Sequence, residues 1–213
     1  MNRSDLKHSL SDSSQEAIVK NNEKENDYEI NLLLGQCYKS KNDAYQALEY
    51  FNSAIDIDPN NTVAYSERLD INYGRKNWSD ARNDLYKLIN FSSEYDEYLT
   101  FKLAYCCSQL NLNNEAFENY TKILKNNPKN CSAYNNRGNI YSNRGDYQLA
   151  LNDYVNALKY SKYESNESKG LYLNNAANQC VKLNKKAEAC AYWTKGAALD
   201  NASCINNKKY YCK

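Results

Sequence analysis

The sequence predicts an all-helical protein built from stacked helix pairs, and three observations carry that prediction. First, apolar and small residues recur at helical spacing. Tyr134, Gly138 and Tyr141 fall at i, i+4, i+7, and Ala150, Tyr154, Ala157 and Leu158 line one face of the segment that follows. The tight turn Arg144-Gly145-Asp146 separates the two. Second, this helix-turn-helix pattern returns along most of the chain. Third, the only two prolines, Pro59 and Pro128, stand in the same slot of the pattern, at a helix end, where a missing N–H does least harm.

Gly138 and Ala150 are small where two antiparallel helices would cross. Protein interiors are packed to near crystal density, so close approach of two helices needs small side chains at the contact. A glycine inside a helix costs about 1 kcal/mol relative to alanine. Its presence here points to packing that a larger residue would obstruct.

The pattern resembles the tetratricopeptide repeat, a helix-turn-helix unit of about 34 residues. Five units follow at that period. Repeat one is 28–61, with Leu34, Gly35, Tyr38, Ala47, Phe51, Ala54 and the closing Asp58-Pro59. Repeat two is 62–95, with Tyr65, Trp78, Ala81, Leu85 and Leu88, and it departs from the pattern by placing Leu69 in the small slot. Repeat three is 97–130, with Leu103, Ala104, Ala116, Tyr120 and Pro128. Repeat four is 131–164. Repeat five is 170–203, with Ala177, Ala189, Trp193 and Gly196. The register slips near Asp96 and at 165–169, both between units, where such an architecture tolerates insertion. The resemblance implies a right-handed α-solenoid of about five units closed by a short C-terminal capping segment, residues 204–213, since a last repeat otherwise exposes its apolar edge. Cys204, Ile205, Tyr211 and Cys212 are placed to cover it.

Ahead of the repeats, residues 1–27 are rich in Ser, Asn, Asp, Glu and Lys and read as a mobile polar tail. Ala17-Ile18-Val19 is the one apolar run there, enough for a short helix docked on repeat one. His8, the only histidine, lies in that tail with no acidic or cysteine cluster beside it and reads as a solvated residue. No apolar core follows a basic start, so no secretory signal is expected and a cytoplasmic location is, with a periplasmic or envelope-associated one as the alternative. At the other end, Cys190 and Trp193 on one helix and a terminal Tyr211-Cys212 are similar to the C-termini of small tetratricopeptide proteins of Bacteroidetes-type bacteria.

The eight cysteines contain no Cys-x-x-Cys pair and no nearby histidine, so no metal site is expected. Cys37, Cys106, Cys107 and Cys180 fall in or beside the apolar slots of first helices, where a free thiol behaves as a small hydrophobe. If the end helix folds back on repeat five, Cys190 and Cys212 come into bonding range as a candidate disulfide.

A glycine-rich phosphate loop, a histidine-based triad and metal-ligand spacing are all missing, so no catalytic residue or cofactor is expected and the chain reads as a non-enzyme. The net charge of +1 gives no bulk electrostatic case for nucleic acid, which disfavours an RNA-binding helical repeat. No apolar run approaches the roughly 20 residues of a membrane span. Function then falls to the surface. In the family it resembles, first helices line a concave groove that takes an extended peptide or a partner helix. Projected onto that groove, Tyr98, Phe101 and Tyr105 form an aromatic patch suited to an apolar anchor. Asn135, Asn136, Asn139, Asn174, Asn175 and Asn178 form a carboxamide row able to hydrogen-bond a peptide backbone, although Asn is common throughout the chain. Domains of this family that clamp the C-terminal carboxylate of heat-shock chaperones use Lys, Asn and Arg at places that here hold Leu32, Gln36, Glu67, Tyr98 and Lys102. Only Lys102 suits that task, and Glu67 would repel a carboxylate. The sequence therefore predicts a non-catalytic scaffold with a protein or peptide partner. The alternative is an exported assembly factor with an oxidised C-terminal pair.

Overall fold

The structure, a computed structural model, describes residues 12–213, with side chains from Glu25 onward. Its described residues hold eleven α-helices and no strand. Ten of them form antiparallel pairs: α1 (Asp12–Ser40) with α2 (Ala44–Ile57), α3 (Thr62–Gly74) with α4 (Trp78–Phe91), α5 (Glu97–Gln109) with α6 (Asn113–Asn126), α7 (Cys131–Arg144) with α8 (Tyr147–Tyr160), and α9 (Asn166–Lys182) with α10 (Lys186–Ala197). The last, α11 (Ala202–Tyr211), stands alone and packs on α10 and α9. The chain divides into two compact units, one ending at Tyr95 with α1–α4 and one from Asp96 with α5–α11.

The backbone of residues 12–27, read from the sequence as part of a polar tail, continues α1, with no proline between Asp12 and Ser40. Residues 1–11, His8 among them, lie outside the described part. The first helix of repeat five, α9, begins at Asn166, ahead of position 170, because the Ser165 side chain accepts from the Ser168 N–H and caps the helix there.

Asparagine and its relatives set most helix ends. The first helices of the second to fifth pairs, and α11, start behind Asn61, Asp96, Asn130, Ser165 and Asn201, each accepting a backbone N–H of the first turn. Each such cap is worth about 1 kcal/mol. At the turn inside each pair one residue sits in the left-handed region: Asn42, Lys76, Asn111, Gly145 and Asn184. The N–H of the next residue reaches back five positions to a helix carbonyl at 2.8–3.0 Å, from Asp43 to Tyr38 through to Lys185 to Cys180. This is the closing bond of a Schellman motif. Four of these five positions hold Asn or Gly, the residues that adopt this conformation most readily. Lys76 is the exception.

Inside each pair the small slot faces a large side chain sixteen positions on. A Cβ built on Gly35 would lie 2.5 Å from the Phe51 ring, and one on Gly138 would lie 2.9 Å from the Tyr154 ring. The same register sets Ala104 with Tyr120 and Ala177 with Trp193, all buried. In repeat two it sets Leu69 with Leu85, also both buried.

One position before that slot lies a feature the apolar pattern conceals. Arg68 donates to both carboxylate oxygens of Asp84, closest at 2.6 Å, and its Nη1 donates to Asn52. Arg137 does the same to Asp153 at 2.8 Å, and its Nη1 reaches Thr121. Every member of the second set stands 69 positions after its counterpart in the first. The carboxylates are inside: Asp84 is 0% and Asp153 4% exposed. Burial pushes the Asp84 carboxyl above its ordinary range, against the opposing pull of Arg68. Around Arg137 burial works against the charge, but Asp153 outweighs it and raises the guanidinium. Neither arginine is interchangeable with lysine in such a two-pronged pair.

Candidate functional site

The second unit carries a cleft of about 640 Å³ between α7 and α9, walled on its outer side by α10 and α11. Its polar lining is almost entirely uncharged: Asn139, Ser142 and Asn143 from α7, and Asn175, Asn178 and Gln179 from α9. Lys182 is the only charged residue in the lining, and Tyr154, Val181, Trp193 and Tyr211 supply apolar surface. First helices supply this polar row because their exposed faces carry Asn at helical spacing: Asn139 and Asn143 are one turn apart, as are Asn174 and Asn178.

The structure gives the six predicted asparagines different tasks. Asn135 is buried, 6% exposed, and belongs to the interior: its Oδ1 accepts from Asn175 at 3.0 Å and its amide donates to Asn136 at 3.2 Å. It is not among the residues that line the cleft. Asn136 is half-buried and also reaches the Tyr120 hydroxyl, whose ionisation burial pushes up to about 12. Asn174 is taken from two sides, its Oδ1 accepting from Trp193 Nε1 at 3.2 Å and from Asn207 at 3.0 Å. Asn139 accepts from the Tyr154 hydroxyl at 2.7 Å, which leaves its amide to the cleft. Asn178 lines the cleft with both ends of its carboxamide uncommitted among the described residues. The buried Gln179 accepts from Ser142 at 3.2 Å and fixes α9 against α7.

The predicted aromatic patch is elsewhere. Tyr98 and Phe101 line a separate cleft of about 480 Å³ with Glu97, Lys129, Asn130, Cys131, Ser132 and Glu164. Phe101 is edge-on to Tyr120, ring centroids 5.8 Å apart, and Lys102 lies over the exposed Tyr98 ring at 4.6 Å. Tyr105 is half-buried and lines neither cleft. The patch and the carboxamide row are therefore two surfaces.

The outer wall of the larger cleft depends on how α11 docks. Cys204 is fully buried and fills the space above Gly196, in contact with its position, while Asn201 occupies the space above Gly170. The Cys204 thiol donates to the Gly170 carbonyl at 3.7 Å, and burial raises its pKa to about 11. Farther along, Tyr211 stacks on Trp193, centroids 5.2 Å apart and rings nearly parallel. Cys190 and Cys212 are joined as a disulfide, with their Cα atoms 5.7 Å apart. Of the other cysteines, Cys106, Cys107, Cys131 and Cys180 are buried as small apolar residues. Cys37 is exposed, contrary to its assignment to an apolar slot.

In unit one, Glu67 accepts from Gln36 at 2.8 Å and pairs with Lys39 at 2.7 Å, and Lys39 also reaches Asp70. These first-helix charges satisfy one another. No described helix is long and apolar enough to cross a membrane, and no cluster of metal-binding side chains occurs among the described residues.

Comparison with known proteins gives a consistent fold. Family models of the tetratricopeptide repeat match residues 28–61 and 119–152. The first spans α1 and α2 from Tyr28 on; the second starts in α6 and ends in α8. No curated protein matches the chain in sequence. Among solved structures, MamA superposes with a TM-score of 0.70 at 16% identity, covering 87% of this chain and 95% of that one. YrrB, described as a tetratricopeptide repeat protein with an unusual peptide-binding site, gives 0.68 at 15% identity over 84% of this chain and 90% of its own. A MamA fragment from Desulfovibrio magneticus RS-1 gives 0.68 at 12% identity, over 83% and 96%. At these identities the likeness is one of fold.

Proposed function

This chain is a tetratricopeptide repeat protein, and from that premise we propose that it is an interaction scaffold that binds an extended peptide segment of a partner protein in the cleft between α7 and α9. One observation supports this above the rest: uncommitted carboxamide groups, the Asn139 amide and the whole of Asn178, face a cleft whose lining contains no acidic side chain. A carboxamide offers an acceptor and two donors, which suits the alternating N–H and C=O of an extended backbone. Tyr211 and Val181 offer apolar surface to a side chain of the peptide, and Lys182 suits one acidic group at most. YrrB, which shares the fold, is described by its peptide-binding site, and this reading carries that kind of ligand over to the present chain.

The test is selection of peptides from a displayed random library on the purified protein, followed by titration of the selected peptides. Asn178→Ala removes two hydrogen-bonding groups from a half-buried cleft position and is expected to weaken binding about threefold to tenfold with the thermal melt unchanged. Selected peptides that bind the variant as well as the parent would place the binding surface elsewhere.

A second reading, an exported or envelope-associated assembly factor, draws its support from the Cys190–Cys212 bond. Disulfides persist in oxidising compartments and are rare in a reducing cytoplasm. Thiol-blocking lysis followed by mass spectrometry separates the two locations: a reduced pair in the cell supports the cytoplasmic reading, an oxidised pair the exported one.

A further inference from the structure

The disulfide and the cleft wall are built from adjacent residues. On α10, Cys190 precedes Trp193 by one turn; on the last turn of α11 and its cap, Tyr211 precedes Cys212. The two helices are thus closed by two neighbouring links, Trp193 on Tyr211 and Cys190 to Cys212. Trp193 and Tyr211 both line the cleft.

The two halves of α11 are held differently. The first half is anchored by the Asn201 cap, by Asn201 over Gly170 and the buried Cys204 over Gly196, and by the bond from Asn207 to Asn174. The second half has exposed Lys208, Lys209 and Tyr210, and it is fixed by the ring stack and the disulfide. Helix ends fray unless tied down. A single ring stack, here of exposed Tyr211 on buried Trp193, is worth about 0.5–1.5 kcal/mol beyond the area it buries, too little to order a terminal turn against its conformational entropy.

We propose that the Cys190–Cys212 disulfide is a redox clasp on the cleft: oxidised, it holds Tyr211 against Trp193 as the outer wall; reduced, it releases that wall and weakens peptide binding. The step is a two-electron thiol–disulfide exchange with a dithiol. One thiolate of the reductant attacks a sulfur of the pair, its second thiol resolves the mixed disulfide, and Cys190 and Cys212 leave as two thiols while the reductant becomes a cyclic disulfide. Both cysteines are partly exposed, so a reductant has access. The five buried thiols take no part. The inference rests on the peptide reading for its binding consequence and stands on its own for the wall.

The experiment therefore has two arms. Trp78→Phe leaves Trp193 as the only tryptophan. In that background, fluorescence emission, acrylamide quenching and hydrogen exchange of residues 205–213 are compared before and after dithiothreitol, with reduction verified by mass. The clasp predicts red-shifted emission, stronger quenching and faster terminal exchange on reduction, with far-UV circular dichroism nearly unchanged. Cys190→Ser/Cys212→Ser is expected to show the reduced behaviour without reductant and no response to it. Unchanged Trp193 signals in the fully reduced protein would overturn the clasp. So would loss of helix throughout, which would make the bond a general crosslink. In the second arm, peptides selected on the oxidised protein are expected to lose about tenfold in affinity on reduction, and the same on Tyr211→Ala in oxidised protein. If peptides bind but ignore redox state, the clasp does not govern the site and the proposal fails. If no peptide binds, the peptide reading fails while the fluorescence arm still decides the wall.

Discussion

In repeat two the register sets Leu69 opposite Leu85; in repeat four the same two positions hold Gly138 and Tyr154. Each set is buried and each is preceded by an Arg–Asp pair of the same design, Arg68 to Asp84 and Arg137 to Asp153. Seen alone, Leu69 breaks the repeat's pattern. Seen with its partner position, it is matched in kind: the larger Leu69 in the small slot stands opposite Leu85, smaller than the Phe, Tyr or Trp that the other repeats hold sixteen positions on. Volume-conserving exchanges are the ones a packed core tolerates. The ion pairs teach the complementary lesson: there the identities are held and the surroundings vary, since a buried carboxylate accepts few substitutes for a guanidinium.

The largest effect is expected at the pairs. Arg68→Met leaves a fully buried carboxylate without its counter-charge, which typically costs about 3–5 kcal/mol. Urea denaturation should show it, and Arg137→Met should cost less, Asp153 being slightly less buried. Asp84 also gives the comparison a pH dependence. Its folded pKa is raised, so the folded state holds the proton more readily than the unfolded chain does. Its contribution to stability is therefore fullest below the unfolded carboxylate range and is lost as pH rises through the folded pKa. The deficit of Arg68→Met should accordingly shrink on acidification, and a deficit independent of pH would show that Asp84 is not the group left exposed to the loss.

Next comes the crossing itself. Gly138→Leu drives a side chain into Tyr154 and should destabilise by about 1–3 kcal/mol. Adding Tyr154→Leu recreates the Leu–Leu composition of repeat two and should recover part of that loss, a non-additive outcome readable as a double-mutant cycle. Simple additivity would show that the two positions do not compensate for one another. A smaller gain is expected at the one turn that departs from Asn or Gly: Lys76→Gly relieves a left-handed lysine and should stabilise by about 1 kcal/mol in a thermal melt, while the same change at Asn111 should do much less. The smallest readout is chemical. Native protein at about pH 8 should be alkylated first at exposed Cys37, while Cys204, its pKa raised to about 11 by burial, reacts only on unfolding.

Much of this was open to reading in advance. Helical spacing at Tyr134, Gly138 and Tyr141 and the shared slot of Pro59 and Pro128 were sufficient for the paired helices, because periodicity reports which face is buried. The Arg–Asp pairs carried a signal that went unread: opposite charges sixteen positions apart, both beside core slots and both repeated 69 positions on. The asparagines could not be sorted from sequence. Asn135 and Asn178 look alike in the repeat, yet one is an interior bridge and the other an open cleft residue. A consequence follows for mutation of the row: Asn175→Ala would not be silent, since it strips the donor from buried Asn135.

Local chemistry, then, was written into the chain: caps at Asn61, Asp96, Asn130 and Ser165, left-handed turns at Asn42, Asn111, Gly145 and Asn184, and small slots opposite large ones. Each depends on neighbours a fixed few positions away, so spacing is enough to reveal it. The separation of Tyr98 and Phe101 from the carboxamide cleft, the interior fate of Asn135 and the meeting of Tyr211 with Trp193 were decided by tertiary structure. Those outcomes turn on how one helix is rotated against the next, a quantity set by the packing of many side chains at once and carried by none of them singly.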